Sequence, residues 1–248
     1  PIVSDPEVEV KIMKPQNVPN LLELGSHDVG FTGYDWLCET GADVTEVMDL
    51  AFDPVRIVAA IPESLTRERL REQRFVAASE YETITRRYLD AQGFDYHFVR
   101  TFGATEVFPP DDADLIVDNT ASGRTLQEHD LRVIDEILSS STRFVAHPAA
   151  LDEPWKREKI ERMSMLFSAI LDARGRVMLE MNVPEERLDA IVEMLPCMRA
   201  PTVSPLYHNT GYAVKVAVHK HQTAELIPKL SKMGATDILE YDFRKVVL

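Results

Sequence analysis

The residues best suited to chemistry lie in "DLIVDNTASGRTL", Asp114 to Leu126. Apolar side chains at 115, 116 and 117 have the profile of a buried parallel strand, and Asp118 stands at its end, where such sheets open onto ligands. Beyond it Thr120, Ser122 and Thr125 offer three hydroxyls and Arg124 offers charge, while Gly123 lets backbone N–H groups approach an anion. A carboxylate at Asp118 can hold ribose hydroxyls or a hydrated metal ion that bridges phosphates. The same letters also describe a polar turn in which Gly123 serves only to admit a left-handed backbone.

Other segments carry weaker signals. "GSHDVGFTGYDWL" sets glycines at 25, 30 and 33 around Asp28 and Asp35. Such spacing lets a ligand lie against the backbone and also occurs in tight strand-to-helix turns; it lacks the order of a Rossmann or P-loop signature. In "FGATEVF", Gly103 and Glu106 follow an expected strand, where a carboxylate orients a base or a ribose or, more often, caps a helix or pairs with an Arg. Tyr81 offers a ring for a purine, against the default of a buried Tyr with a satisfied hydroxyl. The seven histidines make no convincing ligand set, and His219 and His221, two apart at a strand end, read as solvated. No nucleophile elbow or Cys and His pair of recognised spacing occurs.

These groups need elements to position them. "EVEVKIM" alternates as a strand does, "VPNLLELG" reads as a short helix stopped by Gly25, "DVGFTGYDWL" as a strand and turn, and "VRIVAAI" as a buried strand. "ETITRRYLDAQG" is a helix with Gly93 as its stop, and "DYHFVRTF" is the next strand. Strands separated by helices imply an α/β layout with a largely parallel sheet. "LRVIDEILSSSTRFVAH" is ambiguous between a helix and two strands; "SSST" and its β-branched neighbours favour a hairpin. In "DEPWKREKIERMSMLFSAILDARG" Asp152 is placed to cap a helix, Pro154 suits its first turn, Ile160, Met163, Phe167, Ile170 and Leu171 form a stripe, and Gly175 ends it. From Arg176 the pattern is βαββαβ, which gives a ferredoxin-like sandwich.

Composition bounds the function. An apolar fraction of 45% and a charged fraction of 27% suit a soluble globular protein, and no stretch approaches the roughly 18 apolar residues of a membrane span. Twenty-seven basic against 41 acidic residues, a net charge of -14, disfavour non-specific binding to nucleic acid or to an anionic membrane. Such a protein handles phosphates only with local basic groups, backbone amides or a divalent metal. Cys38 and Cys197 suggest neither a disulfide framework nor a zinc knuckle, so a reducing, cytoplasmic setting is expected.

Taken in order, these segments resemble ATP phosphoribosyltransferase, the first enzyme of histidine biosynthesis, in its long form with a C-terminal regulatory domain. The resemblance covers essentially the whole chain. "DLIVDNTASGRTL" looks like that family's strand, acidic residue and Ser/Thr-Gly-x-Thr-Leu loop. "NVPNLLELGSHDVGFTGYDWL" resembles its Asp-x-Gly-x-x-Gly-x-Asp segment, and "GATEVFP" its Gly-x-x-Glu-Val element. "NVPEERLDAIVEMLPCMRAPTVSPL" and "KLSKMGATDIL" resemble its regulatory domain. Three departures accompany the match. The chain begins after the family's opening strand, "FPPDDAD" lacks a glycine usual there, and Lys14 and Asn17 stand where Arg and Asp are common.

The resemblance implies a two-lobed, periplasmic-binding-protein-like catalytic region, with residues 1–54 and 148–175 as lobe I, 55–147 as lobe II, and 176–248 as the ferredoxin-like regulatory domain. It implies that C1 of the ribose of phosphoribosyl pyrophosphate is joined to N1 of the adenine of ATP, with release of pyrophosphate. It further implies a Mg2+ requirement, feedback inhibition by histidine, and a homo-oligomer, a hexamer that exchanges with dimers. Asp118, Thr120, Ala121, Ser122, Gly123, Arg124 and Thr125 fall on the phosphoribosyl pyrophosphate loop, and Gly33, Asp35, Tyr81, Gly103 and Glu106 near ATP; Glu106 and Asp118 are the expected catalytic pair. Asn182, Met198, Ala200 and Thr202 fall at the histidine site; metal ligands are not indicated. The rival reading is a non-catalytic small-anion binder or sensor on the same two lobes.

Overall fold

The computed structural model describes residues 3–196, 198 and 200–247, so that Pro1 and Cys197 lie outside the described residues. Residues 7–13, expected as a strand, are irregular, with Val10 and Ile12 exposed. The alternation there finds no partner strand; the segment is instead fastened at its start, where Lys159 Nζ donates to Asp5 Oδ2 (2.8 Å) and Glu7 Oε2 (2.7 Å).

The elements then run α1 (Val18–Glu23), β1 (Val29–Gly33), α2 (Tyr34–Thr40), β2 (Thr45–Asp49), β3 (Val55–Pro62), α3 (Arg67–Glu72), β4 (Phe75–Ser79), α4 (Glu82–Ala91) and β5 (Tyr96–Arg100). They continue with β6 (Leu115–Thr120), α5 (Arg124–Glu128), β7 (Leu131–Ser140), β8 (Thr142–Ala146), α6 (Pro148–Asp152) and α7 (Pro154–Arg174). Asp152 closes α6 and does not cap α7. Two compact units divide inside α7, between Ile160 and Glu161.

The first unit holds two sheets. A five-stranded sheet has the order β5-β4-β6-β3-β7, and a three-stranded one the order β1-β8-β2. The large sheet is mixed, a correction to the largely parallel sheet expected: only β4 pairs in parallel, with β5 and β6, while β3 runs antiparallel to both β6 and β7. Along β3, Ile57, Ala59 and Ile61 enter one core with Leu115, Val117 and Leu89, while Val58 and Ala60 enter another with Ile116 and Leu126. The sheet is thus covered on both faces, which explains why "VRIVAAI" is apolar without alternation. β7 and β8 are both strands but not a hairpin. Only Ser141 separates them, and each pairs in a different sheet, β7 with β3 and β8 with β1 and β2.

The second unit carries β9 (Arg176–Val183), α8 (Leu188–Met194), β10 (Thr202–Pro205), β11 (Tyr212–His219), α9 (Thr223–Lys232) and β12 (Thr236–Asp242). Its sheet is antiparallel with the order β10-β11-β9-β12, the ferredoxin-like arrangement. Val177, Leu179, Met181 and Val183 alternate into a core closed by Ile191, Leu226 and Leu230 of the two helices. The even-numbered residues of β9 therefore lie on the other face.

Candidate functional site

The register of β4 against β6 sets Ser79 beside Val117, so the next residues, Glu80 just past β4 and Asp118 within β6, are neighbours. The carboxylates face one cavity of about 400 Å³, whose walls also include Gly103 and Glu106 and the loop residues Thr120, Ala121, Ser122 and Thr125. Burial pushes the half-buried Asp118 carboxyl up to about 6; the charges of Glu106 and Glu80 add to the rise, and the N–H of Asn119, donating to Oδ1 at 2.7 Å, opposes it. Asp118 thus faces a field that a cation would relieve.

The loop after β6 is folded by its own hydroxyls. Gly123 N–H donates to Thr120 Oγ1 (2.9 Å), and Arg124 N–H donates to Ser122 Oγ at a long 3.4 Å. Gly123 has φ +82°, in the left-handed region that favours glycine, and a Cβ there would meet nothing within 4 Å. The backbone conformation favours glycine here, and the space beside it is open. Arg124 turns away: its Nε donates to Glu128 Oε1 (2.8 Å), and its side chain is 82% exposed.

Two of the residues expected near a nucleotide, Tyr81 and Asp35, are bound to each other and to two neighbours. Tyr81 Oη donates to Asp35 Oδ2 (2.8 Å), Ser140 Oγ donates to Asp35 Oδ1 (2.6 Å), and Asn119 Nδ2 donates to Tyr81 Oη (3.2 Å). Tyr81 is 1% exposed, stacks on Trp36 at 4.5 Å between centroids, and has its phenol pushed well above the usual range by burial and by Asp35. Its buried ring has no free face for a purine, which corrects the stacking expectation. Gly33 lacks the Cβ that would collide with the Asp35 carboxylate. Gly33, Asp35 and Tyr81 line a separate cavity of about 280 Å³ that shares Val55 and Asn119 with the first.

Sequence reading missed Glu80 and Glu39. Glu80 had a legible signal, a carboxylate directly after the strand "FVAAS". Glu39 had none, since it acts on a distant helix: its carboxylate, buried, accepts from the N–H groups of Thr83 (3.0 Å) and Ile84 (3.0 Å) at the start of α4. In the second unit, Asn182 of β9 donates to Asp237 Oδ2 (2.9 Å), while exposed Thr202 on β10 lies opposite Lys215. Strand β11 runs between them, so the chain does not bring Asn182 and Thr202 into contact. Met198 and Ala200 are exposed just before β10.

Among the described residues no group of three or more His, Cys, Asp or Glu side chains is arranged to hold a metal ion. No helix of the described residues is long and apolar enough to cross a membrane.

The fold and the cavity define a class: a two-lobed α/β protein with an oxygen-rich pocket at the C-terminal edge of a sheet, followed by a ferredoxin-like module. The sequence profile described as ATP phosphoribosyltransferase matches residues 14–169, and that of its C-terminal domain matches residues 173–245. Among curated relatives, the ATP phosphoribosyltransferase of Chlorobium phaeovibrioides is 43% identical over 253 aligned positions, covering 100% of this chain and 86% of the relative. That of Desulforudis audaxviator is 40% identical, covering 100% and 88%. Among solved structures, an ATP phosphoribosyl transferase (HisG:HisZ) complex from Thermotoga maritima aligns at TM-score 0.57 and 30% identity, over 62% of this chain and 74% of that one. The chain belongs to the ATP phosphoribosyltransferase family.

Proposed function

We propose that the cavity between Glu80, Glu106, Asp118 and the 120–125 loop seats phosphoribosyl pyrophosphate for the family's reaction. The protein is a pentosyltransferase of histidine biosynthesis, joining ATP and phosphoribosyl pyrophosphate to give N1-(5-phosphoribosyl)-ATP and pyrophosphate. One observation carries the site: two neighbouring carboxylates and a hydroxyl-rich, glycine-turned loop share one small cavity. Thr120, Ser122 and Thr125 with nearby backbone N–H groups hold the 5-phosphate, and Asp118 accepts from the ribose hydroxyls. Gly103 and Glu106 stand on the opposite wall, and Gly33, Asp35 and Tyr81 brace the nucleotide side.

Adenine N1 is a neutral nucleophile, so the rate rests on holding it against C1 and on neutralising the departing pyrophosphate. Mg2+ bound with substrate would supply part of that neutralisation. Residues 1–54 and 148–175 form one catalytic lobe, 55–147 the other, and 176–248 a regulatory domain. There Asn182, Met198, Ala200 and Thr202 contact inhibitory histidine. Because Asn182 and Thr202 are apart on one exposed sheet face, a second copy of the chain completes that site, in keeping with a homo-oligomer of dimers and hexamers in the cytoplasm. The small-anion sensor reading gains no support from the relatives, which are named as enzymes.

Purified protein incubated with ATP, phosphoribosyl pyrophosphate and Mg2+, followed by ultraviolet absorbance, forms product, and added histidine slows it. Binding of phosphoribosyl pyrophosphate without turnover would return the sensor reading to favour.

A further inference from the structure

We propose that Glu80 is a catalytic residue, accepting a hydrogen bond from the exocyclic amino group of adenine and stabilising the positive charge that develops on the base. The inference rests on the reaction given above and adds a group to it. A third cavity, about 460 Å³, is also lined by Glu80, with Gln16, Asn17, Arg100 and Phe102 and the carboxylates Glu39 and Glu82, the latter 3.9 Å from Arg100. Glu80 lines both this cavity and the one beside Asp118, and among the described residues no other does so. The larger cavity suits a purine nucleotide. Phe102, 87% exposed on the loop after β5, offers a flat apolar face, the side-chain amides offer donors and acceptors for a ring edge, and Arg100 offers charge for phosphates.

A base in one cavity and a ribose in the other must meet at the wall they share. The new bond forms between adenine N1 and ribose C1 as the C1–O bond to pyrophosphate breaks, and the bonding pair leaves with pyrophosphate. N1 thereby loses its lone pair to the bond, and the ring acquires one positive charge spread over N1, C6 and the exocyclic nitrogen. No proton moves in that step. The amino N–H groups become stronger donors as the charge grows, so a fixed carboxylate acceptor binds the transition state more tightly than the ground state.

Glu80 is built for this. The strand register fixes its backbone beside Asp118, and Gln16 Nε2 donates to its Oε2 at 3.1 Å, holding the carboxylate while Oε1 has no hydrogen-bond partner among the described residues. That its charge is felt at Asp118 places the carboxylate within electrostatic reach of the ribose side.

The test compares the parent with Glu80→Gln and Glu80→Asp, each checked for an unchanged thermal midpoint. We expect kcat for Glu80→Gln to fall about 10²-fold, the usual loss when one preorganised electrostatic partner is removed, with affinity for phosphoribosyl pyrophosphate unchanged by calorimetry and partial rescue in Glu80→Asp. The parent is expected to prefer ATP to purine riboside triphosphate, which lacks the amino group, in equilibrium binding, and Glu80→Gln to lose that preference. A parent that turns over while Glu80→Gln keeps kcat within about threefold and keeps the preference overturns the role of Glu80. A parent with no turnover overturns the reading beneath it, and the binding comparison still reports on Glu80 separately.

Discussion

Asp118 sits where burial and two neighbouring carboxylates oppose its ionisation, so its proton reports on the cavity. In the unfolded chain such a carboxyl ionises near 3.8, in the folded one at about 6. Between these values only the folded state holds the proton, so folding stability falls as pH rises through the window, and the ionised group destabilises the empty protein at pH 7. Asp118→Asn should therefore raise Tm at pH 7 by about 2–4 °C, the shift that 1 kcal/mol produces in proteins of this size, with the difference vanishing near pH 3.5 in scanning calorimetry. The same variant should fail to bind phosphoribosyl pyrophosphate, and the parent's kcat/KM for that substrate should fall as pH drops below about 6. At Gly123 the φ of +82° makes any L side chain cost about 1–2 kcal/mol. Gly123→Ala should therefore lower Tm by about 2–8 °C, although a Cβ would strike nothing, and weaken phosphoribosyl pyrophosphate about tenfold, or 1.4 kcal/mol. An unaltered Kd would remove the loop from the substrate.

Among elements, α4 shows how little of its support lies in its own sequence. Its N-cap position is Tyr81, whose side chain makes no capping bond, and Glu39 from α2 supplies the acceptors instead. Glu39→Ala leaves two backbone donors without these acceptors, and a loss of about 1–3 kcal/mol in chemical denaturation is expected. Local features were legible: the stops at Gly25 and Gly93 have φ of +67° and +70°, and the alternation of "RVMLEMN" became β9 with one face buried. Non-local ones were not. "LRVIDEILSSSTRFVAH" carries the composition of two strands but nothing that says they serve different sheets, and "EVEVKIM" carries alternation with no strand to pair with. The site was legible in its loop and in Asp118, which follow one strand in sequence. The bond of Tyr81 to Asp35, 46 residues apart, was not.

For the whole molecule, the cavity proposed for catalysis and the residues proposed to contact histidine lie in different units, so their variants should separate too. Thr202→Ala should relieve inhibition by histidine without changing uninhibited turnover; equal sensitivity of variant and parent would refute that placement. Helix α2 has a wider consequence. It precedes the three-stranded sheet's β2 in sequence, yet Trp36 is buried in the core of the five-stranded sheet, Asp35 holds Tyr81 and Ser140, and Glu39 holds the start of α4. A helix that swung with a closing lobe would make few such bonds, whereas α2 is joined to Tyr81, Ser140 and the start of α4 by buried hydrogen bonds. The amides of Thr83 and Ile84 can therefore trade hydrogen for deuterium only when α2 lets go. Their slow exchange, with or without substrates, would mark a cleft set in advance by folding, one that ligands enter without having to make.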